Sequence, residues 1–327
     1  MHQPAGPLRP FIDFEVALDP AAWQADVAVV GIAHSEPYAG DEQPNDQSRA
    51  PDAVRRESGL FSYGGRAHHD FDFGADLATV LPGRCIDCGN LLRGNERYDE
   101  YAARDTAAVA TLWRGGAQLI VLGGDHGVTI PVLDALEVLD RRVYIVHVDA
   151  HLDWRREVGG VTRGYSSPLY WASTKRCVVG MTQIGLRGTG SARRGEVEAA
   201  RAYGSRLISA AEVHAAGLGP VLESIPREVP LYITIDADGL DPAVMPGVMA
   251  PAPGGLAYTQ VAPLLAALAR RQPVLGMDIV EIAPRYDASN AITCITAGRL
   301  IVTLLGHYWA ARAGTGPGTE VAAGVRG

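Results

Sequence analysis

The run Val143-Tyr144-Ile145-Val146-His147-Val148-Asp149-Ala150-His151-Leu152-Asp153 carries two kinds of information. Its first half is a continuous, mostly apolar and β-branched stretch, as in a strand covered on both faces. Its second half sets Asp149, His151 and Asp153 at positions i, i+2 and i+4. In an extended chain those side chains point to one side. Two carboxylates and an imidazole then converge on one point, which is costly unless a cation sits there.

Working outward, apolar β-rich runs recur at residues 26–32, 118–122, 182–186, 231–235 and 274–280. Helical patterns lie between most of them, at 98–113, 128–139, 195–203, 210–215 and 258–270. Strands alternating with amphipathic helices predict an α/β fold with a mostly parallel sheet covered on both faces. No linker-like segment or internal repeat divides the 327 residues, so one domain is expected, with a mobile Gly/Ala-rich tail at 313–327.

In such sheets ligands bind at the carboxyl ends of the strands. Four predicted strand ends carry acidic or imidazole groups there. They are Gly123-Gly124-Asp125-His126, the Asp149–Asp153 stretch, Asp236-Ala237-Asp238, and Glu281. His126, Asp149, His151, Asp153, Asp236 and Asp238 are the expected metal ligands. Four carboxylates and two imidazoles suit two divalent cations, with Mn²⁺ first and Ni²⁺ among the alternatives. Two such ions would lower the pKa of a shared water toward neutrality.

Composition excludes other classes. Net charge is −8 with no basic stripe, which gives nucleic-acid binding no electrostatic support. No apolar run approaches the length of a membrane span and no signal-peptide pattern opens the chain, so a cytoplasmic protein is expected. Cys85 and Cys88 have C-x-x-C spacing without a second pair, and read as reduced thiols near a strand end.

Taken together, Gly123-Gly124-Asp125-His126, Asp149-Ala150-His151-Leu152-Asp153, Thr234-Ile235-Asp236-Ala237-Asp238-Gly239-Leu240-Asp241-Pro242 and Gly276-Met277-Asp278-Ile279-Val280-Glu281 resemble the signatures of the ureohydrolases, the family of arginases and agmatinases. The likeness runs over about residues 24–306. It implies a three-layer sandwich around an eight-stranded, mainly parallel sheet, assembled as trimers or hexamers. It implies two Mn²⁺ ions, or Ni²⁺ in members that attack guanidine or biguanide compounds, and release of urea and an amine from a guanidino substrate. By matching positions, Asp149 and Asp236 would bridge the ions, His126 and Asp153 would complete one site, and His151 and Asp238 the other. Asp153 would orient the attacking water and Glu281 would hold the guanidinium by a charge-assisted pair.

The sequence departs from that pattern in two loops. Arg163 stands where the family carries a proton-transferring histidine, and an arginine does not release its proton at neutral pH. Arg163, Tyr165 and Ser166 are therefore expected to contact a substrate other than arginine, such as an agmatine-like amine, a guanidino acid, a guanidine or a biguanide of the metformin type. His34-Ser35-Glu36-Pro37-Tyr38 and Asp41-Glu42-Gln43-Pro44 replace small residues after the first strand, and His34 is expected to line the pocket. Two further readings are a weakly active, metal-binding partner in a hetero-oligomer and a deacetylase-type amidase.

Overall fold

A computed structural model describes residues 4–36, 38–39, 45–63, 65–81, 83–189 and 192–314. The expected loop stretch 41–44 and the tail beyond residue 314 lie outside them. Nine strands form one sheet: β1 (Glu15–Val16), β2 (Val27–Ala33), β3 (Cys85–Leu92), β4 (Gln118–Gly123), β5 (Val143–Val148), β6 (Val178–Leu186), β7 (Arg206–Ser209), β8 (Leu231–Asp236) and β9 (Val274–Val280). Their order across the sheet is β1-β3-β2-β4-β9-β8-β5-β6-β7, and every pairing is parallel.

Nine strands correct the expected eight, and the ninth is the two-residue edge strand β1. Buried Asp87 of β3 accounts for it. Its carboxylate accepts the Phe11 N–H at 2.8 Å and its carbonyl the Ala17 N–H at 2.9 Å. The segment between them is thereby held along the sheet edge, in register Glu15 with Ile86 and Val16 with Asp87.

Alternation along each strand builds two cores. On β2, Val27 and Val29 face one layer while Ala28, Val30 and Ile32 face the other. The first layer holds α1 (Ala50–Ser58) and two long helices, Tyr258–Arg271 and Ile292–Ala313. The second holds α2 (Tyr98–Arg114), α3 (Thr129–Val138) and Arg194–Tyr203. Strand side chains such as Ile120 and Leu119 are fully buried, each contributing about 1.5–3 kcal/mol by burial. This three-layer frame is stiff at the centre, where β4, β9, β8 and β5 lie side by side. Those four strands end in the residues singled out above. No helix among the described residues is long and apolar enough to cross a membrane.

Candidate metal centre

Each of the four strand ends turns sharply, and small residues make the turns possible. After β4, a Cβ on Gly124 would lie 1.5 Å from the His34 carbonyl oxygen, so only glycine fits. Asp125 then caps the next turn by accepting the Gly127 N–H at 3.0 Å, which delivers His126 to the sheet edge. After β5, Asp149 Oδ1 accepts the His151 N–H at 2.6 Å, and Asp153 sits in the left-handed region at φ 51°. At the end of β8, Asp236 Oδ1 accepts the Asp238 N–H at 2.9 Å. A Cβ on Gly239 would press on Asp149 N at 2.7 Å, so this glycine lets the β8 and β5 ends approach.

Two clusters result, and they share Asp149. His126 Nδ1 lies 3.4 Å from Asp149 Oδ2, 2.9 Å from Asp153 Oδ2 and 3.5 Å from Asp236 Oδ2. His151 Nδ1 lies 3.5 Å from Asp149 Oδ1 and 3.1 Å from Asp238 Oδ2. All six residues that sequence reasoning named thus meet at one place, and the two oxygens of Asp149 face different clusters.

His126 shows what the cluster is built for. Its Nε2 lies 2.9 Å from Thr234 Oγ1, and that hydroxyl donates to Asp278 Oδ1 at 2.5 Å. The hydroxyl proton is therefore committed, so Nε2–H must be the donor, and in the neutral ring Nδ1 carries the lone pair. Asp278 is anchored in turn by the hydroxyls of Thr129 and Tyr232. Nδ1 is buried and makes no aligned hydrogen bond although three carboxylates surround it. A lone pair aimed among carboxylates fits a cation in their midst, with the outer hydrogen bonds fixing the ring as is usual for a metal-bound histidine.

Charge in the cluster tells the same story. Burial opposes an imidazolium at His151, yet Asp149 and Asp238 push it up to about 12. Burial and Asp149 push Asp238 up to about 6, against the pull of His151. Burial and the neighbouring carboxylates Asp238 and Asp149 also raise Asp236 well above the usual range. Burial works against ionised Asp149 as well, but the surrounding imidazoles of His147, His126 and His151 hold it well below that range. Such a site lacks positive charge, and divalent cations would supply it. The oxygen-rich donor set fits Mn²⁺-type ions rather than structural zinc.

Glu281 stands in the left-handed region at φ 62°, where its N–H donates to Gly124 O at 2.9 Å. Its Oε1 accepts the His126 N–H at 2.7 Å and its Oε2 the Gln47 amide at 2.7 Å. Burial and Asp125 push its carboxyl up to about 8. Gln47, buried in the first loop, was missed by sequence reasoning. It lies 234 residues from its partner, and no local motif marks it.

The expected substrate residues are placed differently. The Arg163 guanidinium pairs with Asp134 of α3 at 2.8 Å and stacks 4.5 Å from the centre of the Trp171 ring. Its backbone approaches the His126 turn, where a Cβ on Gly127 would lie 3.3 Å from Arg163 O, and Arg163 lines a small cavity with His34, Asp125 and Gly127. His34 is buried, its Nε2 2.8 Å from Asp105 Oδ2 and its ring against Tyr101. Tyr165 and Ser166 receive Tyr38, whose ring lies 4.3 Å from that of Tyr165 and whose hydroxyl lies 2.8 Å from Ser166 Oγ. Trp154 packs in the second core against Tyr203. His151 is the most exposed of the six clustered residues, its side chain 22% accessible against at most 6% for the others that pair with an imidazole. Beside it a cleft opens, lined by Leu186, Thr189, Arg201 and Glu212.

The sequence model of the Arginase family matches residues 25–306. Proclavaminate amidinohydrolase of Streptomyces clavuligerus is 32% identical over 298 residues, which cover 89% of this chain and 90% of that protein. N(1)-aminopropylagmatine ureohydrolase of Thermus thermophilus is 39% identical over 195 residues, 59% of this chain and 63% of that one. The solved structure of the Streptomyces clavuligerus amidinohydrolase aligns with a TM-score of 0.80 and 26% identity, covering 93% of this chain and 98% of that chain. The chain belongs to the Arginase family, hydrolases that act on C–N bonds in linear amidines. Its fold is the α/β arginase fold, and a cluster of histidine and aspartate that could hold metal lies at the carboxyl edge of the sheet.

Proposed function

We propose that this protein is a binuclear-metal amidinohydrolase that cleaves a guanidino C–N bond to release urea and an amine. His126, Asp149, Asp153 and Asp236 would hold one ion, and Asp149, His151, Asp236 and Asp238 the other. Mn²⁺ is the first choice and Ni²⁺ the second. The observation that carries the reading is the shared Asp149, whose two oxygens face two imidazole-and-carboxylate clusters, together with the buried His126 Nδ1, which makes no aligned hydrogen bond among its carboxylates. Bound there, the ions would supply an activated water and stabilise charge developing at the substrate carbon.

The chain's own residues do the rest. Asp153, lying 2.9 Å from His126 Nδ1, accepts a hydrogen bond from the attacking water and takes its proton for transfer to the departing amine. Glu281 holds the guanidinium. Each of its oxygens already accepts one hydrogen bond, and each keeps a lone pair for one N–H of a planar, bidentate cation. Arg163 in place of the family histidine argues against arginine and agmatine. Asp134 and the Trp171 ring hold the Arg163 guanidinium, which turns it away from the carboxylate of a guanidino acid and favours guanidine- or biguanide-type substrates. The whole chain would act as one unit in a trimer or hexamer, and four buried cysteines that form no disulfide support a reducing cytoplasm.

The test is metal analysis of protein loaded with Mn²⁺ or Ni²⁺, followed by a urea-release screen. The panel holds arginine, agmatine, guanidino acids, guanidine and biguanides. Two ions per chain and urea from a non-arginine guanidino compound support the reading. Two ions without urea from any of them would point to an inactive partner subunit.

A further inference from the structure

The metal cluster contains a third imidazole. His147, on β5 two residues before Asp149, is fully buried, and its Nε2 lies 2.7 Å from Asp149 Oδ2. By distance alone it groups with His126, Asp149 and Asp153 as a ligand. Hydrogen-bond chemistry assigns it another task.

Gln183 of the adjacent strand β6 pairs in register with His147 and is fully buried. Its amide nitrogen lies 3.1 Å from His147 Nδ1 and 2.8 Å from Leu152 O, and its Oε1 accepts from Ser205 Oγ at 3.0 Å. A backbone carbonyl only accepts, so the group facing Leu152 O is the NH₂. That NH₂ also donates to His147 Nδ1, which is therefore the unprotonated nitrogen. The ring proton then sits on Nε2 and points at Asp149 Oδ2. Reversing the amide would set its oxygen against Leu152 O. It would also protonate Nδ1 and turn the Nε2 lone pair against a carboxylate oxygen. Both contacts set lone pair against lone pair between fully buried side chains, and both are repulsive.

We propose that His147 is a positioning residue and not a metal ligand: Ser205, Gln183 and His147 form a buried relay whose last N–H fixes the carboxylate of Asp149 that faces both clusters. This rests on the reading of Asp149 as a metal ligand. His147 and Gln183 stand on neighbouring strands β5 and β6, and Ser205 directly precedes β7, so the relay is assembled with the sheet.

Nitrogen-15 NMR of the metal-free protein, with labelled histidine, reads the tautomer directly. The signal absent from His147→Gln should be that of an Nε2–H ring, and an Nδ1–H ring overturns the relay. Titration with Mn²⁺ supplies the second arm. His147→Leu should weaken Mn²⁺ binding about 10- to 100-fold while keeping the wild-type stoichiometry at saturation. His147→Gln, whose amide nitrogen reaches the Nε2 position, should recover most of that loss, and Gln183→Leu should weaken binding in the same direction. Loss of one Mn²⁺ equivalent at saturation in both His147→Leu and His147→Gln would make His147 a ligand and overturn the proposal. Wild-type protein that takes up no Mn²⁺ would overturn the metal reading, and the role of His147 with it, but not the tautomer, so the two failures are told apart.

Discussion

Replacing Asp149 by asparagine removes a charge whose two oxygens face the two clusters. In the metal-free protein the effects oppose each other. The substitution strips His126 and His151 of a partner, but it also relieves the repulsion that Asp149 exerts on Asp153, Asp236 and Asp238. The metal-free melting temperature should therefore move little. With metal the balance differs, because each site held at 100 times its Kd stabilises the fold by about 2.7 kcal/mol, or about 5 kcal/mol for two. Unfolding entropy near 2.1 cal/mol/K per residue gives about 0.7 kcal/mol/K for a chain of 327 residues. Saturating Mn²⁺ should thus raise the wild-type melting temperature by about 8 °C and that of Asp149→Asn by far less. Scanning calorimetry with and without Mn²⁺, alongside metal analysis, measures both. An Asp149→Asn variant that kept two ions and the full thermal shift would refute the shared-ligand reasoning.

Three further outcomes follow from the same geometry. Thr234→Val removes the acceptor of the His126 Nε2–H and should lower Mn²⁺ affinity about 10- to 100-fold in a calorimetric titration. The metal-free protein should lose stability as pH rises from 5 to 8. Glu281, Asp238 and His151 all have folded values above their ordinary 4.5, 3.8 and 6.5, so their contribution is present below those values and lost as pH rises through the raised ones. Melting temperatures across that range check it, and added Mn²⁺ should flatten the decline. Arg163→Ala should cost about 1 kcal/mol through loss of the Asp134 pair and the Trp171 stack, while KM for the active guanidino compound stays unchanged. A large rise in KM would return Arg163 to the substrate site.

Much of the candidate centre was legible because its imidazoles and carboxylates follow apolar strands at fixed offsets. Period and position were enough to bring His126, Asp149, His151, Asp153, Asp236 and Asp238 together. The strand β3 was not legible, since Asp87, Gly89 and Asn90 break its apolar pattern. Those groups are buried because Arg55, itself fully buried, bonds Asp87, Asn90 and the Gly89 carbonyl. The helix Ile292–Ala313 was also missed. It is buried on most of its surface and shows no polar face for the 3.6-residue period to reveal. The side-chain partners of two expected substrate residues were not legible for another reason. His34 and Arg163 stand in loops at the active edge, but Asp105 and Asp134 on the helices behind claim their side chains. Position along the chain places a backbone, and charge partners from elsewhere decide where the side chain goes.

Glu281 joins three stretches that are distant in sequence: the first loop through Gln47, the turn after β4 through Gly124 and His126, and its own strand end. Its carboxylate is therefore a shared pin between the first loop and the turn that carries His126. Substitutions at 47 and at 124–127 should be epistatic, each changing what the other does to turnover. New specificity on this scaffold would then be reached through paired changes rather than single ones.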